Sequence, residues 1–255
     1  MRSREEVRRA LHELRLHGLS AELERFGEEP WLHELLDLEQ AEKQRRSLEN
    51  RKRFASLGSF KSMSEFQWNW PKAIDRVQCE ELLRLGFLKD GSNIVILGPS
   101  GVGKTMLLKN MAWQAVLEGH TVLVRAASDM LRDLGTQESM SARARRLRAY
   151  VKPKLLCIDE VGYLSYDSTH ADLLFEVVTR RYEAGKSIAL TTNREFSAWS
   201  SLFPNAACVV ALVDRLVHRG ELVKIEGQSY RLKEAEERVQ VKNRERASRR
   251  KTATT

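Results

Sequence analysis

The sequence predicts an α/β fold in which a parallel β-sheet is covered by helices on both faces and preceded by a small helical segment. Short apolar runs alternate with longer helical patterns from Asn93 onward, as expected for strands buried between two layers of helices. Residues 1–57 are instead rich in Glu, Arg and Leu and hold few turn formers. With 255 residues and a hydrophobic content of 42%, the chain can bury a substantial core.

The N-terminal part is predicted to form two or three short helices. Leucines recur at helical spacing after Val7, and Gly18 and Pro30 interrupt the pattern. The composition changes in residues 58–71, where Phe and Trp alternate with Ser, Lys and Asn. This pattern indicates a linker fixed by its aromatic side chains. A further helix is predicted over residues 73–85.

The sheet is predicted from four apolar runs, the first of which is followed by a glycine-rich turn. Two short runs on either side of Gly227, at residues 222–225 and 230–232, indicate a small hairpin. The tail from Lys233 is highly charged, so we expect a solvated helix or a disordered segment. The predicted strands cover residues 94–97, 121–125, 155–158 and 187–190, and the predicted helices cover residues 104–117, 171–184 and 208–219.

Composition narrows the class of protein. The chain has 43 Lys and Arg against 35 Asp and Glu, a net charge of +8. No run approaches the roughly 20 apolar residues that cross a bilayer, and the charged N-terminus has no apolar signal-peptide stretch behind it. The three cysteines lack the spacing of disulfide or zinc sites. We therefore expect a reduced, cytoplasmic protein that uses no membrane, and its positive charge suggests a polyanionic partner.

Residues 98–105 match the P-loop pattern at every fixed position, at a predicted junction between a strand and a helix. The glycines let backbone N–H groups converge on phosphate oxygens at the positive end of the helix. Lys104 should reach the β- and γ-phosphates, and the Thr105 hydroxyl should ligate Mg²⁺. The predicted phosphate-binding residues are Gly98, Pro99, Ser100, Gly101, Val102, Gly103, Lys104 and Thr105.

Two later strands are predicted to end in polar side chains. Asp159 and Glu160 follow an apolar run, and a buried strand avoids carboxylates unless they face a ligand. We predict that Asp159 holds the metal and that Glu160 is the general base toward the attacking water. Asn193 closes the next strand, where it either orients that water and senses the γ-phosphate or is an ordinary turn residue.

A predicted helix near the end of the fold carries Arg215 and Arg219, which share a face because they are four residues apart. One of them could reach the γ-phosphate bound by a neighbouring subunit, as an arginine finger in trans. The alternative is a surface ion pair between Asp214 and a neighbouring base, which contributes little to stability. The spacing alone leaves both interpretations open.

These motifs occur in the order seen in AAA+ ATPases of the initiator clade. Within that clade the chain resembles the IstB family, the helper ATPases encoded beside the transposases of bacterial insertion sequences, with the helicase loader DnaC as a more distant relative. The likeness covers about residues 5–235, and its more specific part comes from three stretches outside the nucleotide motifs. These are LRLHGL at 14–19, FQWNWP at 66–71 and EGQSYR at 226–231.

The resemblance implies a RecA-like AAA+ domain of αβα architecture behind a small helical N-terminal domain. It also implies a bacterial ATPase that uses ATP and Mg²⁺, forms an ATP-dependent oligomer on double-stranded DNA and activates a partner transposase of the IstA type. Carried onto this chain, it makes Lys104 and Thr105 the P-loop pair, Asp159 the Mg²⁺ carboxylate, Glu160 the base, Asn193 the first sensor and Arg215 the finger, with Arg219 as the fallback.

One departure from typical AAA+ proteins is visible. Only the predicted hairpin and the tail follow the helix that carries Arg215, so no full helical lid is expected. Such a lid usually supplies a second sensor arginine, and Arg231 is the residue that could replace it.

Two basic segments are the candidates for contact with DNA. One precedes the acidic strand, where initiator-clade proteins insert pore-lining helices, and the other lies in the N-terminal helices. Basic side chains on a helix follow phosphates without reading bases, and no base-reading module appears, so binding should be largely independent of sequence. For either segment the alternative is a solvated helix face. The candidates are Arg143, Arg145, Arg146 and Arg148, and Lys43, Arg45, Arg46, Arg51, Lys52 and Arg53.

Three parts are predicted: a helical DNA-binding and oligomerisation domain with its linker at residues 1–70, an AAA+ ATPase domain at 71–235, and a basic charged tail at 236–255. Trp68 and Trp70 are predicted to pack between the two domains rather than to stack on bases. The alternatives to a transposition regulator are a helicase loader and a small-molecule P-loop kinase. A helicase loader would keep the same chemistry with another partner, and a small-molecule P-loop kinase would need an acceptor other than water.

Overall fold

The computed structural model describes residues 2–163, 168–202 and 206–252. Its internal contacts divide the chain into two compact units, Met1–Arg53 and Phe54–Thr255. No helix among the described residues is long and apolar enough to cross a membrane.

The first unit consists of helices. α1 begins with a capping box, in which the Glu6 amide donates to Ser3 Oγ (3.3 Å) and the Ser3 amide donates to Glu6 Oε2 (2.7 Å). The core of this unit is a cluster of buried aliphatic side chains that includes Leu11, Leu32 and Leu36. The helices are α1 (Arg4–Leu14), α2 (His17–Ala21), α3 (Leu23–Phe26) and α4 (Pro30–Ala55).

The prediction of two or three short helices in this region was wrong in number and in length. There are four, and α4 alone has 26 residues. Pro30 does not interrupt a helix but occupies the first position of α4, where its missing N–H costs no hydrogen bond.

The second unit contains a five-stranded sheet, which confirms the predicted α/β class. The strand order is β2-β3-β4-β1-β5, and every neighbouring pair is parallel. All five residues of β1 are buried, as a central strand covered on both faces requires. The strands are β1 (Asn93–Leu97), β2 (Val122–Ala126), β3 (Leu155–Val161), β4 (Ser187–Thr192) and β5 (Gly220–Lys224).

Helices cover both faces of this sheet. α7 packs against β1 to β4. A second core cluster joins α8 to α12 to the strands through buried side chains such as Leu156 and Trp199. The helices are α5 (Arg76–Leu82), α6 (Phe87–Asp90), α7 (Lys104–Leu117), α8 (Ala127–Gly135), α9 (Met140–Val151), α10 (Ser168–Glu183), α11 (Trp199–Leu202), α12 (Ala206–His218) and α13 (Tyr230–Thr252).

The predicted hairpin near the C-terminus is not formed. Residues 220–224 are a strand, but its partner is β1, to which it runs parallel, and Tyr230 begins the helix α13. The sequence showed the strand but not its partner, because the residues of β1 lie more than a hundred positions earlier. α13 is the only helix described after β5, so up to Thr252 the chain has no full helical lid, as predicted.

Residues 54–70, which the sequence placed with the N-terminal domain, belong to the second unit. They are held on α7: Asn110 Nδ2 donates to the carbonyl of Lys61 (2.9 Å), and the Met63 amide donates to Asn110 Oδ1 (3.1 Å). The rings of Phe60 and Trp113 also lie against each other, with centroids 6.4 Å apart. This segment is therefore part of the structure around the P-loop.

Candidate nucleotide-binding site

The P-loop spans the end of β1 and the start of α7, as predicted, and its glycines are in close contact with other segments. Gly101 and Gly103 have positive φ angles of 81° and 102°, a conformation that other residues rarely adopt. A Cβ on Gly103 would lie 2.5 Å from the Phe66 ring, and one on Gly101 would lie 2.1 Å from Ser229 Oγ. Glycine is therefore required at both positions for conformation and for space.

Lys104 is buried at the base of this loop, with 5% of its surface exposed. Its ammonium donates to the carbonyls of Gly98 and Pro99, both at 2.7 Å. Burial lowers the pKa of Lys104 to about 8, against the opposing effect of the Asp159 carboxylate. The ammonium is thus held by two backbone oxygens that a phosphate would replace.

Asp159 lies at the end of β3 and is joined to the P-loop helix. Thr105 Oγ1 donates to Asp159 Oδ1 at 3.1 Å, and Thr191 Oγ1 donates to the same oxygen at 2.5 Å. The hydroxyl of Thr105 and the carboxylate of Asp159 are hard oxygen donors that lie together beside the P-loop, which suits Mg²⁺. Among the described residues no group of three or more His, Cys, Asp or Glu side chains could hold a metal.

Glu160 has an unusual backbone for a strand residue. Its φ angle is 63°, and the β3–β4 register shifts between Ile158 and Val161, so the strand bulges at the catalytic candidate. The Glu160 amide donates to Thr191 Oγ1 (2.9 Å). A left-handed conformation at a non-glycine residue costs on the order of 1–3 kcal/mol and is typical of functional sites.

Thr191 is the residue that the sequence analysis missed. Its side chain is fully buried, and its hydroxyl donates to Asp159 while accepting from the Glu160 amide. It therefore fixes both acidic residues with one oxygen atom. The signal in the sequence was its place at the end of β4, two residues before Asn193.

Asn193 is not among the residues that line the cavity beside the P-loop. Its Oδ1 atom is buried and has no hydrogen-bond partner among the described residues. The structure thus brings Thr191, rather than Asn193, into contact with the acidic pair.

The two candidate finger arginines also lie outside this cavity. Arg215 donates to the carbonyl of Ala211 (2.8 Å) and lies 5.1 Å from the centroid of the Phe175 ring. Arg219 lies over the ring of Tyr182, at 5.7 Å from its centroid. Within its own chain, neither guanidinium is placed on the P-loop.

The cavity has a volume of about 240 Å³ and two kinds of wall. Its polar end is formed by Lys104, Thr105, Glu160 and Thr191, and Arg231 adds a second cation. Its apolar side is formed by Phe66, Trp70, Met106 and Tyr230. A nucleotide has the same division into a charged phosphate end and an aromatic base.

The aromatic wall joins two segments that are far apart in sequence. Trp70 Nε1 donates to the carbonyl of Gln228 (3.1 Å), and the rings of Trp70 and Tyr230 meet edge to face at 6.1 Å. Lys233 Nζ lies 4.3 Å from the centroid of the Trp70 ring and donates to Gln67 Oε1 (3.0 Å). The described contacts of Trp70 therefore lie within the second unit, beside the P-loop.

Tyr163 closes the remaining side of the site. Its hydroxyl is 3.1 Å from Ser100 Oγ in the P-loop, and its ring centroid is 6.0 Å from Lys104 Nζ. The sequence analysis did not single it out, although it comes three residues after Glu160.

The predicted DNA-binding residues fall on two helices, and their surroundings differ. On α4, Arg45 and Arg46 both pair with Glu42 (2.7 and 3.0 Å), and Lys52 pairs with Glu49 (3.0 Å). The other three also donate within the first unit: Lys43 to the carbonyl of Glu13 (2.7 Å), Arg51 to Ser47 Oγ (2.6 Å) and Arg53 to Asn50 Oδ1 (2.8 Å).

On α9 the pattern is mixed. Arg146 is paired with Asp133, and Arg143 donates to the sulfur of Met140 (2.9 Å). Arg145 and Arg148 are exposed, and no carboxylate of the described residues pairs with either of them.

Comparisons with known proteins relate the chain to a family of ATP-binding proteins. A family model of IstB-like ATP binding proteins matches residues 5–238. The chain is 35% identical over 204 residues to the protein of Geobacillus stearothermophilus named as an ATP-binding protein of insertion sequence IS5376, covering 80% of this chain and 81% of that protein. It is 35% identical over 189 residues to the corresponding IS21 protein of Pseudomonas aeruginosa, covering 74% and 71%.

Solved structures share the fold at lower identity. The crystal structure of DnaI aligns with a TM-score of 0.54 at 19% identity, covering 68% of this chain and 90% of that chain. AMPPCP-bound DnaA from Aquifex aeolicus aligns with a TM-score of 0.51 at 22% identity, covering 70% and 57%. Together with the P-loop and the parallel sheet, these matches establish that the chain belongs to the IstB-like ATP-binding proteins of insertion sequences and is an ATPase with the AAA+ fold.

Proposed function

We propose that this protein is an ATP-dependent regulator of transposition that assembles on double-stranded DNA and directs a partner transposase. The observation that carries the proposal is a hydrogen-bonded group at the P-loop, in which Thr105 and Thr191 both donate to Asp159 and the Glu160 amide donates to Thr191. The chain also belongs to a family whose relatives are named for insertion sequences. The partner is proposed from the insertion-sequence names of these relatives.

The ATP site divides the chemistry among a few side chains. Lys104 leaves the two P-loop carbonyls and binds the β- and γ-phosphates, with P-loop amides around them. Thr105 and Asp159 hold Mg²⁺, which, when bound, neutralises charge that develops on the phosphates. Glu160, which lines the cavity, takes the proton of the attacking water as the general base.

A second cation at the γ-phosphate is proposed to come from a neighbouring subunit. Arg215 lies outside the cavity of its own chain, so it reaches nucleotide only across an interface, with Arg219 as the fallback. An arginine finger in trans is worth on the order of 10³–10⁵ in rate, which ties hydrolysis to assembly. Arg231 lies in the cavity of its own chain and takes the place of a lid arginine.

DNA contact is proposed on α9, where Arg145 and Arg148 are exposed and unpaired by any described carboxylate. The basic residues of α4 are the weaker candidates because nearby groups of the same unit already bind them. Residues 1–53 are proposed to serve DNA binding or oligomerisation. The side chains of the last residues of the basic tail lie outside the described part of the chain.

Analytical ultracentrifugation with and without a duplex, in ATP and in ADP, tests the proposal. The expected result is a large species that requires both ATP and DNA. A monomer in every condition would contradict it. Pull-down with the product of the adjacent gene then distinguishes a transposase from a helicase as the partner.

A further inference from the structure

Four basic side chains meet where α9 ends and where β3 and β4 begin. Lys152 follows the last residue of α9, Lys154 directly precedes β3, and Lys186 directly precedes β4. Leu155 is in register with Ser187, so Lys154 and Lys186, which precede them, are neighbours at the amino ends of these two strands. The fourth cation is Arg181, and none of the described ion pairs involves any of the four.

Two of these cations neutralise the end of α9. Arg181 is fully buried and has no described carboxylate partner; its guanidinium donates to five carbonyl oxygens. Lys186 Nζ donates to the carbonyls of Val151 (3.1 Å) and Lys152 (2.7 Å). The acceptors of Arg181 are the carbonyls of Tyr150, Val151, Pro153, Lys154 and Ser187, at 2.5–3.2 Å.

The last carbonyls of a helix carry a partial negative charge of about one half of an elementary charge. At the end of α9 this negative charge is neutralised by the hydrogen bonds from Arg181 and Lys186, so it does not repel an anion. Burial lowers the pKa of Lys186, and the neighbouring charges of Arg181, Lys154 and Lys152 lower it further. The cations therefore repel one another in the absence of an anion, and a bound polyanion would relieve that repulsion.

The cluster continues the exposed row of α9. Arg145, Arg148 and Lys152 are all exposed and are spaced by three and four residues, so they lie on one helix face. Seven residues of helix span about 10 Å, which corresponds to about three phosphates along one DNA strand. A row of regularly spaced positive charges complements the repeated phosphates of a nucleic-acid backbone better than it complements a single acidic side chain.

We propose that Lys152, Lys154 and Lys186 extend the basic face of α9 into one continuous track for the phosphate backbone of double-stranded DNA. This inference rests on the proposed function, since it names a further part of the DNA-binding surface. Arg181 does not touch DNA. It is a positioning residue that holds the end of α9 against β3 and β4.

The test is the salt dependence of duplex binding by the full chain with ATP. Binding is measured by the fluorescence anisotropy of a labelled duplex of arbitrary sequence. The variant K152Q/K154Q leaves Lys186 in place, so the end of α9 keeps its capping contacts. Two lost phosphate contacts should reduce the slope of log K against log salt by about 2 and the affinity at ~0.1 M salt by about tenfold. The variant K152R/K154R should keep both values.

The matched control R132Q/R180Q likewise removes two exposed cations, which are already paired with Asp129 and Glu176. It should bind the duplex as the wild type does. If the K152Q/K154Q slope equals that of the wild type while circular dichroism shows an intact fold, the track is overturned and the proposed function stands. If the wild type itself binds no duplex in ATP, both are overturned.

Discussion

The P-loop and the proposed DNA face of α9 would both bind phosphate, but they are built by different means. The P-loop uses a fixed backbone and one buried ammonium, with 5% of Lys104 exposed. The α9 face uses exposed side chains, each surrounded by water and salt. Loss of one group should therefore abolish the first site, whereas the second should weaken in small, salt-dependent steps.

The largest expected effect is that of K104A. Without the buried ammonium, ATP hydrolysis should fall by at least about 100-fold, because Lys104 is the buried cation at the base of the P-loop. A phosphate-release assay measures it. K109A is the matched control, since Lys109 lies on the same helix, outside the cavity, and donates to the Ser59 carbonyl. Normal hydrolysis by K104A would refute the assignment of the site.

E160Q should separate binding from chemistry. The amide keeps the shape of the side chain but cannot accept the proton of water, so hydrolysis should fall about 10²–10⁴-fold while ATP affinity changes little. Single-turnover hydrolysis and binding of a fluorescent ATP analogue give the two values. E183Q, at the end of α10, removes the same charge from an exposed position and should leave hydrolysis unchanged. Equal loss of binding and of hydrolysis in E160Q would contradict its role as the base.

A smaller effect distinguishes the two basic helices. R145Q/R148Q should weaken duplex binding by about tenfold at ~0.1 M salt and reduce the salt slope by about 2, since two phosphate contacts are lost. R45Q/R46Q removes the same charge from α4, but Glu42 already pairs with both arginines, so its effect should be slight. If R45Q/R46Q weakened duplex binding more than R145Q/R148Q in an anisotropy titration, the DNA-binding surface would be assigned to α4 instead.

The smallest predicted effect is a pH dependence of ATP binding. Burial lowers the pKa of Lys104 to about 8 in the free protein. Phosphate requires the protonated ammonium, so affinity should fall as the pH rises through this value. At pH 8 half of the free protein is uncharged at this position, which weakens binding by about twofold relative to pH 7. Calorimetry from pH 7 to 8.5 measures it, and an ATP affinity that stays constant over this range would contradict the prediction.

The sequence predicted the parts of this molecule that depend on local patterns. The helix at 104–117 matches α7, because the P-loop motif fixes where that helix begins. It did not predict the partner of β5, because pairing with β1 depends on a distant segment. The sequence placed residues 54–70 with the N-terminal helices. In the structure these residues belong to the second unit, because Asn110 and Trp113 hold them on α7.

Within the site, the acidic pair was predicted because a buried strand avoids carboxylates unless they face a ligand, and because a P-loop precedes this strand in the sequence. Thr191 was missed, since a threonine in a strand is ordinary and only the structure shows its hydroxyl between Asp159 and Glu160. The pairing of Arg45 and Arg46 with Glu42 was present in the sequence as spacings of three and four. Counting the carboxylates on the same helix face would have predicted these two ion pairs.

The hydrogen bond from the Tyr230 amide to the Gly101 carbonyl (2.9 Å) attaches the first turn of α13 directly to the P-loop. α13 has 23 residues, so it is about 34 Å long. In a helix of that length a small rotation at the first turn displaces the last turn noticeably: a rotation of about 5° moves the far end by about 3 Å. A rearrangement of the loop too small to alter the sheet would thus become, at the other end of α13, a displacement as large as a hydrogen bond is long.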